Sequence, residues 1–275
     1  MVLSFLSRHL RNPRQTTRTT TATALLALSC LSTLPQSSNS MTWTATWDDI
    51  LRGGPTRWKV DDLKPKQQAL SYITKYHVGG SDGSDGTKLN ILCPLAGDDP
   101  FVQYAWSRGH SVTAIDLVPA AVQVMKEQFG GSEMDWKKES SANDSEVIWR
   151  HQSGRATLYQ GDMMAKRAEL LNHFDAIYDK DSFGALPMEL RETYCQRLAD
   201  YAKDDSNSIV YIEVKNKETG RESGPPYHVD RADLMESFGQ SFVHMAELGQ
   251  VYPLPMPNFS QMGHILQRKS AEESS

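Results

Sequence analysis

The chain has 275 residues, of which 39% are hydrophobic and 23% are charged, and its formal net charge is −5. These values are typical of a globular protein with one large domain, and the negative charge gives no support to a nucleic-acid-binding function. No apolar run reaches the roughly 18–20 residues that a membrane-spanning helix needs, so no membrane span is expected.

Residues 1–40 differ from the rest of the chain, since they contain four arginines and no acidic residue and are rich in serine and threonine. This composition predicts a transit peptide that directs the protein to a mitochondrion or plastid. Two other interpretations remain open. One is a secretory signal with its apolar part at residues 25–34, and the other is translation from Met41, which would give a cytoplasmic protein. In each case the folded domain is expected at residues 41–275.

From residue 41 onward, predicted strands and helices alternate. Strands are expected at residues 89–93, 112–115, 156–159, 174–178 and 209–214, and two further segments follow at 242–248 and 264–267. Helices are expected at residues 67–76, 101–108, 119–128, 188–201 and 231–238. Residues 79–86 and 130–154 are interpreted as a flexible linker and a loop or insertion. This order predicts an α/β domain with a doubly wound parallel sheet and helices on both faces.

Acidic residues recur where the predicted strands end, and in such a sheet ligands bind beyond these carboxyl ends. Asp116 ends the second strand about 20 residues after Gly97, where a doubly wound fold has a carboxylate that accepts hydrogen bonds from ribose hydroxyls. Asp162 follows the third strand and is expected to accept from an adenine amine, while Met163 packs on the ring. Any one acid alone is better explained as a solvated strand end, but their recurrence favours a nucleoside site.

The turn after the first strand, residues 94–98, lacks the G-x-G-x-x-G pattern that brings backbone amides close to a pyrophosphate. A dinucleotide is therefore disfavoured, and with it the alternative of a nicotinamide-dependent oxidoreductase. S-adenosylmethionine carries no phosphate, and the single Gly97 of this turn suffices for it. Cys30, Cys93 and Cys195 lie far apart without zinc-ligand spacing, so no metal site is expected.

Several short motifs follow one another in a characteristic order along residues 43–266. They are Trp43 and Trp47, Pro94-Leu95-Ala96-Gly97, Gly109-His110-Ser111-Val112, Leu158-Tyr159-Gln160-Gly161-Asp162, Phe174-Asp175-Ala176-Ile177-Tyr178-Asp179-Lys180, Ala185-Leu186-Pro187 and Gly224-Pro225-Pro226-Tyr227. In this order the chain resembles the thiopurine S-methyltransferases and the related thiol and halide methyltransferases.

This resemblance implies a Rossmann-like fold with a mostly parallel seven-stranded sheet whose last strand is antiparallel. It implies S-adenosylmethionine as cofactor, S-adenosylhomocysteine as product, and a monomer that methylates a small thiol, thiopurine, halide, or selenium or tellurium species. The implied cofactor contacts are Trp43, Trp47, Pro94, Leu95, Gly97, Asp116, Leu117, Asp162, Met163, Asp179 and Lys180. The implied acceptor contacts are Trp58, Pro226 and Tyr227, and Lys180 and Asp181 are the candidate catalytic residues.

The chain departs from the family pattern at Ala96, Asp98 and Lys180, where the family has cysteine, often lysine, and arginine. Lys180 keeps the positive charge of an arginine but cannot make its planar two-point contact. A non-catalytic module of the same fold and a methyltransferase with an oxygen or nitrogen acceptor therefore stay open. Asp181 or His228 is the candidate base for a weakly acidic acceptor. The tryptophans of residues 43–58 and the loop at residues 252–259 are expected to cover the site.

Overall fold

The computed structural model describes residues 43–52, 60, 62–77, 86–140 and 146–270. The predicted targeting segment 1–40, Trp58 and nearly all of the predicted linker 79–86 lie outside the described residues. The separation of a targeting segment from the domain at residues 41–275 therefore stays a prediction.

Within this part of the chain, nine strands form a single sheet. They are β1 (Asn90–Pro94), β2 (Ser111–Asp116), β3 (Trp136–Ser140), β4 (Val147–His151), β5 (Ala156–Gln160), β6 (Ala176–Lys180), β7 (Ile209–Lys217), β8 (Phe242–Tyr252) and β9 (Phe259–Arg268). Their order in the sheet is β3-β4-β5-β2-β1-β6-β7-β9-β8. The five neighbouring strands β5, β2, β1, β6 and β7 are parallel. The last strand, β9, is antiparallel to both of its neighbours. The doubly wound α/β class is confirmed.

The sheet has two strands more than the seven expected, because residues 130–154 contain an antiparallel hairpin instead of the predicted loop. β3 has one apolar residue, Trp136, and the three apolar residues of β4 are consecutive, so the segment lacks the apolar–polar alternation that predicts a strand. Trp136 and Ile148 are buried, and Trp136 packs edge-on against Phe129 with ring centroids 5.1 Å apart. A sparse apolar pattern of this kind becomes a strand only because β5 offers it an edge to pair with.

The helices lie on both faces of the sheet, as predicted. They are α1 (Trp43–Leu51), α2 (Leu63–His77), α3 (Phe101–Ser107), α4 (Pro119–Gln128), α5 (Ser182–Ala185), α6 (Met188–Tyr201) and α7 (Arg231–Phe238), with short 3-10 turns at Glu133–Asp135 and Ala168–Leu170. The predicted bounds of α4, α6 and α7 are confirmed, whereas α1 and α5 were not predicted. None of the described helices is long and apolar enough to cross a membrane.

Two apolar cores separate the helices from the sheet, because each central strand is buried on both faces. Ile91 of β1 belongs to the core beneath α2, α3 and α4, whereas the next residue, Leu92, belongs to the core beneath α6 and α7. This alternation along each strand fixes which side chains reach the end of the sheet. The carboxyl ends of β1, β2, β5 and β6 therefore meet along one edge, where the predicted site residues follow.

Candidate active site

A cavity of about 500 Å³ opens at this edge, beyond the carboxyl ends of β1, β2, β5 and β6. Most of the predicted site residues line it: Pro94, Leu95, Gly97, Asp116, Leu117, Asp162, Met163, Lys180 and Asp181. The sheet topology thus brings together residues from four separate parts of the sequence. The same cavity is lined by further residues that the sequence did not point to, among them Asp99, Leu190 and Thr193.

Asp116 is held rigidly at the end of β2 by two backbone amides. Its Oδ2 accepts a hydrogen bond from the Gly97 amide, and its Oδ1 accepts one from the Val118 amide, both at 2.9 Å. Burial raises the pKa of Asp116, although these backbone hydrogen bonds oppose the shift. A carboxylate has about four lone-pair sites. Two of them are used here, so acceptor positions remain for the hydroxyl groups of a ligand.

The turn that donates to Asp116 has an unusual backbone. Leu95 and Gly97 have positive φ angles of 44° and 57°, which turn the chain sharply after β1. Glycine adopts this conformation without the steric cost that a side chain brings. The Ser182 hydroxyl donates to the Pro94 carbonyl at 2.9 Å, which ties the turn to the start of α5. All four residues of this turn, Pro94 to Gly97, line the cavity next to the strand ends.

Asp162, Met163 and Leu117 form the neighbouring wall of the cavity. The Asp162 Oδ1 accepts from the Met164 amide at 2.9 Å, so this carboxylate is also fixed by its own turn. Met163 is buried, whereas Leu117 is 58% exposed, and both line the cavity together with Asp162. Two apolar side chains and a carboxylate in one cavity suit a flat apolar ring that carries a hydrogen-bond donor.

Asp179, predicted as a cofactor contact, does not line the cavity. Its Oδ1 accepts from the Ser182 and Phe183 amides, and its Oδ2 accepts from the Tyr194 hydroxyl at 2.8 Å. Burial raises the pKa of Asp179 to about 7, against the effect of these hydrogen bonds. Because side chains alternate along a strand, Asp179 points to the α6 face, on the other side of β6 from Lys180. Its position suits a role in fixing α5, and the predicted cofactor contact is corrected.

Asp181 lies in the cavity wall, but its carboxylate is already paired with cations. It accepts from Lys215 Nζ at 2.9 Å and from Gln261 Nε2 at 3.0 Å, and Lys180 Nζ lies 3.5 Å away. Burial alone would raise the pKa of Asp181, yet the charges of Lys215 and Lys180 lower it to about 2. A carboxylate with so low a pKa is a weak base, so the predicted role of Asp181 as proton acceptor does not fit its surroundings.

Lys180 lies between two carboxylates at the same wall. Its Nζ is 3.5 Å from Asp181 Oδ2 and 3.8 Å from Asp99 Oδ2. Burial lowers the pKa of Lys180, but the charges of Asp181, Asp99 and Glu213 outweigh burial and raise it. Lys180 therefore carries a positive charge at neutral pH and brings it to the cavity.

The residues that line the cavity lie within a part of the chain that matches a known protein family. The family model for thiopurine S-methyltransferase matches residues 43–267, a range that includes every residue of the cavity. The chain belongs to the thiopurine S-methyltransferase family. It is therefore an S-adenosylmethionine-dependent methyltransferase.

The relatives are distant in sequence. The thiopurine S-methyltransferase of Acinetobacter baylyi is 26% identical over 156 residues, which are 57% of this chain and 69% of that protein. The probable thiopurine S-methyltransferase of Yarrowia lipolytica is 24% identical over 189 residues, 68% of this chain and 83% of that protein. The N-methyltransferase NodS of Bradyrhizobium japonicum, solved with S-adenosylhomocysteine, has a TM-score of 0.56 at 11% identity and covers 82% of this chain and 99% of that one. This last likeness shows a common fold.

The motif Gly224-Pro225-Pro226-Tyr227 of this methyltransferase does not line the cavity. The Tyr227 amide donates to the Gly184 carbonyl at 2.8 Å, and the Tyr227 ring lies 5.7 Å from the Arg191 guanidinium. Tyr227 thus contacts α5, and neither Pro226 nor Tyr227 lines the cavity. His228 accepts from the Lys217 amide through Nδ1 and is not a cavity residue either, so the structure does not support it as a base.

The predicted cover is only partly within the described residues. The side chains of Trp43 and Trp47, and all of Trp58, lie outside them. The backbone of α1 is described, and its Ile50 packs against Val118 and Ala121 next to the cavity. The loop at residues 252–259 contributes no residue to the cavity lining. A covering role for these segments stays a prediction.

The sequence did not point to five polar side chains next to Lys180 and Asp181, at or behind the cavity wall. They are Lys66, Asp99, Glu213, Lys215 and Gln261. They come from α2, β7, β9 and the turn before α3, so long-range contacts bring them together. One signal was readable in the sequence, because Lys66 stands at helical spacing with the apolar residues Ala69, Leu70 and Ile73. A lysine on the buried stripe of a helix needs a buried partner.

Proposed function

We propose that this methyltransferase acts on a small acceptor that attacks through an ionised sulfur, with the adenosyl group of the cofactor held by Asp116. The observation that carries the proposal is the Asp116 carboxylate, which two backbone amides fix at the mouth of a cavity of about 500 Å³. A group fixed in this way loses little freedom when it accepts the ribose hydroxyls, and this favours binding.

The other cavity residues would contact the adenine and the amino-acid part of the cofactor, on the two sides of the ribose. Asp162 accepts from the adenine amine while Leu117 and Met163 pack on the two faces of the ring. The turn of Pro94, Leu95 and Gly97 lies against the amino-acid part. A site for S-adenosylmethionine needs no phosphate cradle, and this turn has none. When bound, the cofactor supplies a methyl group on a positively charged sulfur.

The acceptor faces the wall that contains Lys180 and Asp181. The pKa of Asp181 is lowered to about 2, so this carboxylate removes a proton poorly from a neutral alcohol or amine. A thiolate forms the new sulfur–carbon bond without losing a proton and needs no base. The charge of Lys180 stabilises such an anion next to the transferred methyl group. These properties favour sulfur acceptors over oxygen or nitrogen acceptors.

Alignment of the acceptor with the methyl group supplies most of the rate enhancement. Holding two reactants in line corresponds to about 7–11 kcal/mol of the barrier in well-oriented systems. Here Leu186, Pro187 and Leu190 add apolar side chains to the cavity lining. These side chains exclude water from the anion and orient an apolar acceptor body, as in other small-molecule sites.

A screen with methyl-labelled S-adenosylmethionine tests the proposal. The acceptors are an aliphatic thiol, an aromatic thiol, a thiopurine, iodide and selenite, together with a phenol and an amine of matched shape. We expect transfer to thiols at a rate at least about tenfold above that to the matched phenol and amine. Transfer to the phenol or the amine alone would contradict the sulfur acceptor. Binding of S-adenosylhomocysteine without transfer to any acceptor would indicate a non-catalytic module.

We further propose that the protein is a monomer and that residues 1–40 direct it to a mitochondrion or plastid. The composition of this segment supports the second point, since it carries four arginines and no acid. Light scattering on a chain that begins at Met41 tests the first. A fusion of residues 1–40 to a fluorescent protein tests the second, and cytoplasmic fluorescence would contradict it.

A further inference from the structure

A chain of buried hydrogen bonds runs through the Asp179 carboxylate and joins four elements of the fold. Asp179 belongs to β6, and its side chain has no exposed surface. Its Oδ1 accepts from the Ser182 amide at 2.9 Å, and its Oδ2 accepts from the Tyr194 hydroxyl at 2.8 Å. The Ser182 hydroxyl donates in turn to the Pro94 carbonyl at 2.9 Å. One carboxylate therefore connects β6 with α5, α6 and the end of β1.

This chain of hydrogen bonds reaches two groups of cavity residues. β1 leads into the turn of residues 94–97, which lines the cavity and is the turn proposed to hold the cofactor. The other group comes from α5, α6 and the segment between them, and it consists of Ser182, Ala185, Leu186, Pro187, Leu190 and Thr193. Asp179 and Tyr194 do not line the cavity, so they influence the reaction only through residues that do.

Asp179 holds the start of α5. This helix has only four residues, and the side chain of its N-cap residue makes no hydrogen bond to it. Its first two amides, those of Ser182 and Phe183, donate to Asp179 Oδ1 instead. A single helical turn is not stable by itself, so contacts of this kind set its position. The cofactor turn has a second support, because the Gly97 amide donates to Asp116 Oδ2 at 2.9 Å.

A role in stability alone does not explain a carboxylate at this position. The groups that donate to Asp179 are backbone amides and a tyrosine hydroxyl, none of which carries a positive charge. Burial raises the pKa of Asp179 to about 7, so ionisation of this carboxyl favours the unfolded chain. An ionised acceptor nevertheless makes shorter and stronger hydrogen bonds than a neutral one. Asp179 thus lowers stability when ionised, but it holds α5 and α6 firmly.

We propose that Asp179 is a positioning residue, which holds α5 and α6 against the cofactor turn and so aligns the methyl acceptor with the methyl group of S-adenosylmethionine. Its contact with Tyr194 fixes α6, and its contact with Ser182 fixes α5 next to Pro94. Misplacement of a reactant by about 1 Å can slow a reaction about 100-fold, so a small movement of these helices suffices. The proposal rests on the proposed function, because it takes the acceptor to lie against α5 and α6.

Substitutions at Tyr194 and Asp179 test this inference. Tyr194→Phe keeps the ring and removes the hydroxyl that donates to Asp179. Asp179→Ala removes both acceptor oxygens, whereas Asp179→Asn keeps an oxygen for the backbone amides and makes neutral, weaker hydrogen bonds. The matched control is Tyr159→Phe. Tyr159 is also buried, its hydroxyl also donates to a carboxylate, that of Glu169, and neither residue lines the cavity.

The measured quantity is the rate constant of a single turnover, with labelled S-adenosylmethionine bound to the protein and thiophenol at saturating concentration. This rate is divided by the number of cofactor sites, which is counted by calorimetric titration with S-adenosylhomocysteine. An unfolded chain binds no cofactor, so a loss of folded protein does not change the rate per site. The same titration gives the affinity for S-adenosylhomocysteine.

We expect the rate per site to fall about tenfold in Tyr194→Phe and further in Asp179→Ala, with Asp179→Asn between the wild type and Asp179→Ala. Adding Tyr194→Phe to Asp179→Ala should slow the reaction by no more than about twofold, because both changes break the same contact. Affinity for S-adenosylhomocysteine should change less than about threefold, since the cofactor turn keeps its hydrogen bond to Asp116. Tyr159→Phe should keep the wild-type rate to within about twofold.

A purely structural role predicts fewer cofactor sites with an unchanged rate per site, and that result would overturn the proposal. Equal rates per site in Tyr194→Phe and Tyr159→Phe would also overturn it. If Asp179→Ala does not fold, the comparison of Tyr194→Phe with Tyr159→Phe still decides. Transfer from the wild type to phenol but not to thiophenol would contradict the proposed function, and phenol would then replace thiophenol in the same comparison. Absence of transfer to either acceptor would contradict both proposals.

Discussion

The two ends of the cavity are built in different ways. The cofactor end, made of residues 94–97, 116–118 and 162–163, is held by backbone amides that donate to carboxylates close to them in the fold. The ion-paired end, made of Lys66, Asp99, Lys180, Asp181 and Lys215, is held by side chains from distant elements. The first end follows from local turn geometry at the ends of parallel strands. The second depends on the whole tertiary fold.

The largest expected effect comes from breaking the ion-paired end. Asp181→Asn keeps a residue type that tolerates the positive φ of 62° at this position, but it leaves the ammonium of Lys215 without its anion. Breaking a buried ion pair costs about 3–5 kcal/mol. We expect the free energy of unfolding in urea to fall by that amount.

The matched control for this variant is Asp175→Asn, which breaks the ion pair with Lys203. Lys203 is 37% exposed, so its charge remains solvated when the partner is lost. The expected loss is about 1 kcal/mol or less. Equal losses in the free energy of unfolding would mean that breaking an ion pair at this end of the cavity costs no more than breaking one at the protein surface.

A second prediction sharpens the contrast between Asp179 and Asp181, which lie two positions apart and have opposite pKa shifts. Burial raises the pKa of Asp179 from 3.8 to about 7, so between these values the folded chain keeps a proton that the unfolded chain has lost. Stability from this group is therefore present at low pH and falls as pH rises, by at most about 1.4 kcal/mol per pH unit.

Asp179→Asn removes this titration while keeping an oxygen that accepts from the Ser182 amide. Urea unfolding is measured for both proteins from about pH 4 to 7, the interval of the shift. The wild-type stability should decline relative to the variant across this interval. Two curves that stay parallel would show that the carboxyl of Asp179 titrates alike in the folded and unfolded chain.

The smallest of the three effects concerns the cofactor end. Asp116→Ala removes the acceptor proposed for the ribose hydroxyls. The hydroxyls partly regain hydrogen bonds from water, so the net loss should match that of one hydrogen bond to a charged group, about 1.5–3 kcal/mol. We expect the affinity for S-adenosylhomocysteine to fall about 10- to 100-fold, measured by calorimetric titration. The matched control is Asp230→Ala, because Asp230 also accepts from two backbone amides but lies at the start of α7, away from the cavity. Equal affinities of the two variants would mean that the ribose lies elsewhere.

The same contrast explains how much of the molecule the sequence predicts. Helices α4, α6 and α7 were predicted to the residue, because their apolar spacing and the proline that begins α4 are local signals. The segment with the hairpin of β3 and β4 was interpreted as a loop or insertion, because the pairing of β4 with β5 is not visible in the segment itself. Strand pairing of this kind leaves little trace in a single segment.

The site divides in the same way. Asp116 and Asp162 follow from the rule that ligands bind beyond strand ends, whereas Lys180 was implied by the family resemblance. The lysine partners of Asp99 and Asp181 were not found, because Lys66 and Lys215 come from elements remote in sequence. The resemblance implied that Asp179 contacts the cofactor, but the alternation of β6 turns its side chain to the opposite face. Position along the sequence predicts which strand end a residue occupies, whereas the register of the sheet determines which way it points.

A crystal structure of the complex with S-adenosylhomocysteine tests the central claim most directly. The account predicts that both ribose hydroxyls lie about 2.5–3.0 Å from the Asp116 carboxylate oxygens, a normal hydrogen-bond distance, with the adenine between Leu117 and Met163. The sulfur should then face the wall that contains Lys180. A nucleoside bound away from Asp116, or a ribose whose hydroxyls contact no carboxylate, would contradict the account.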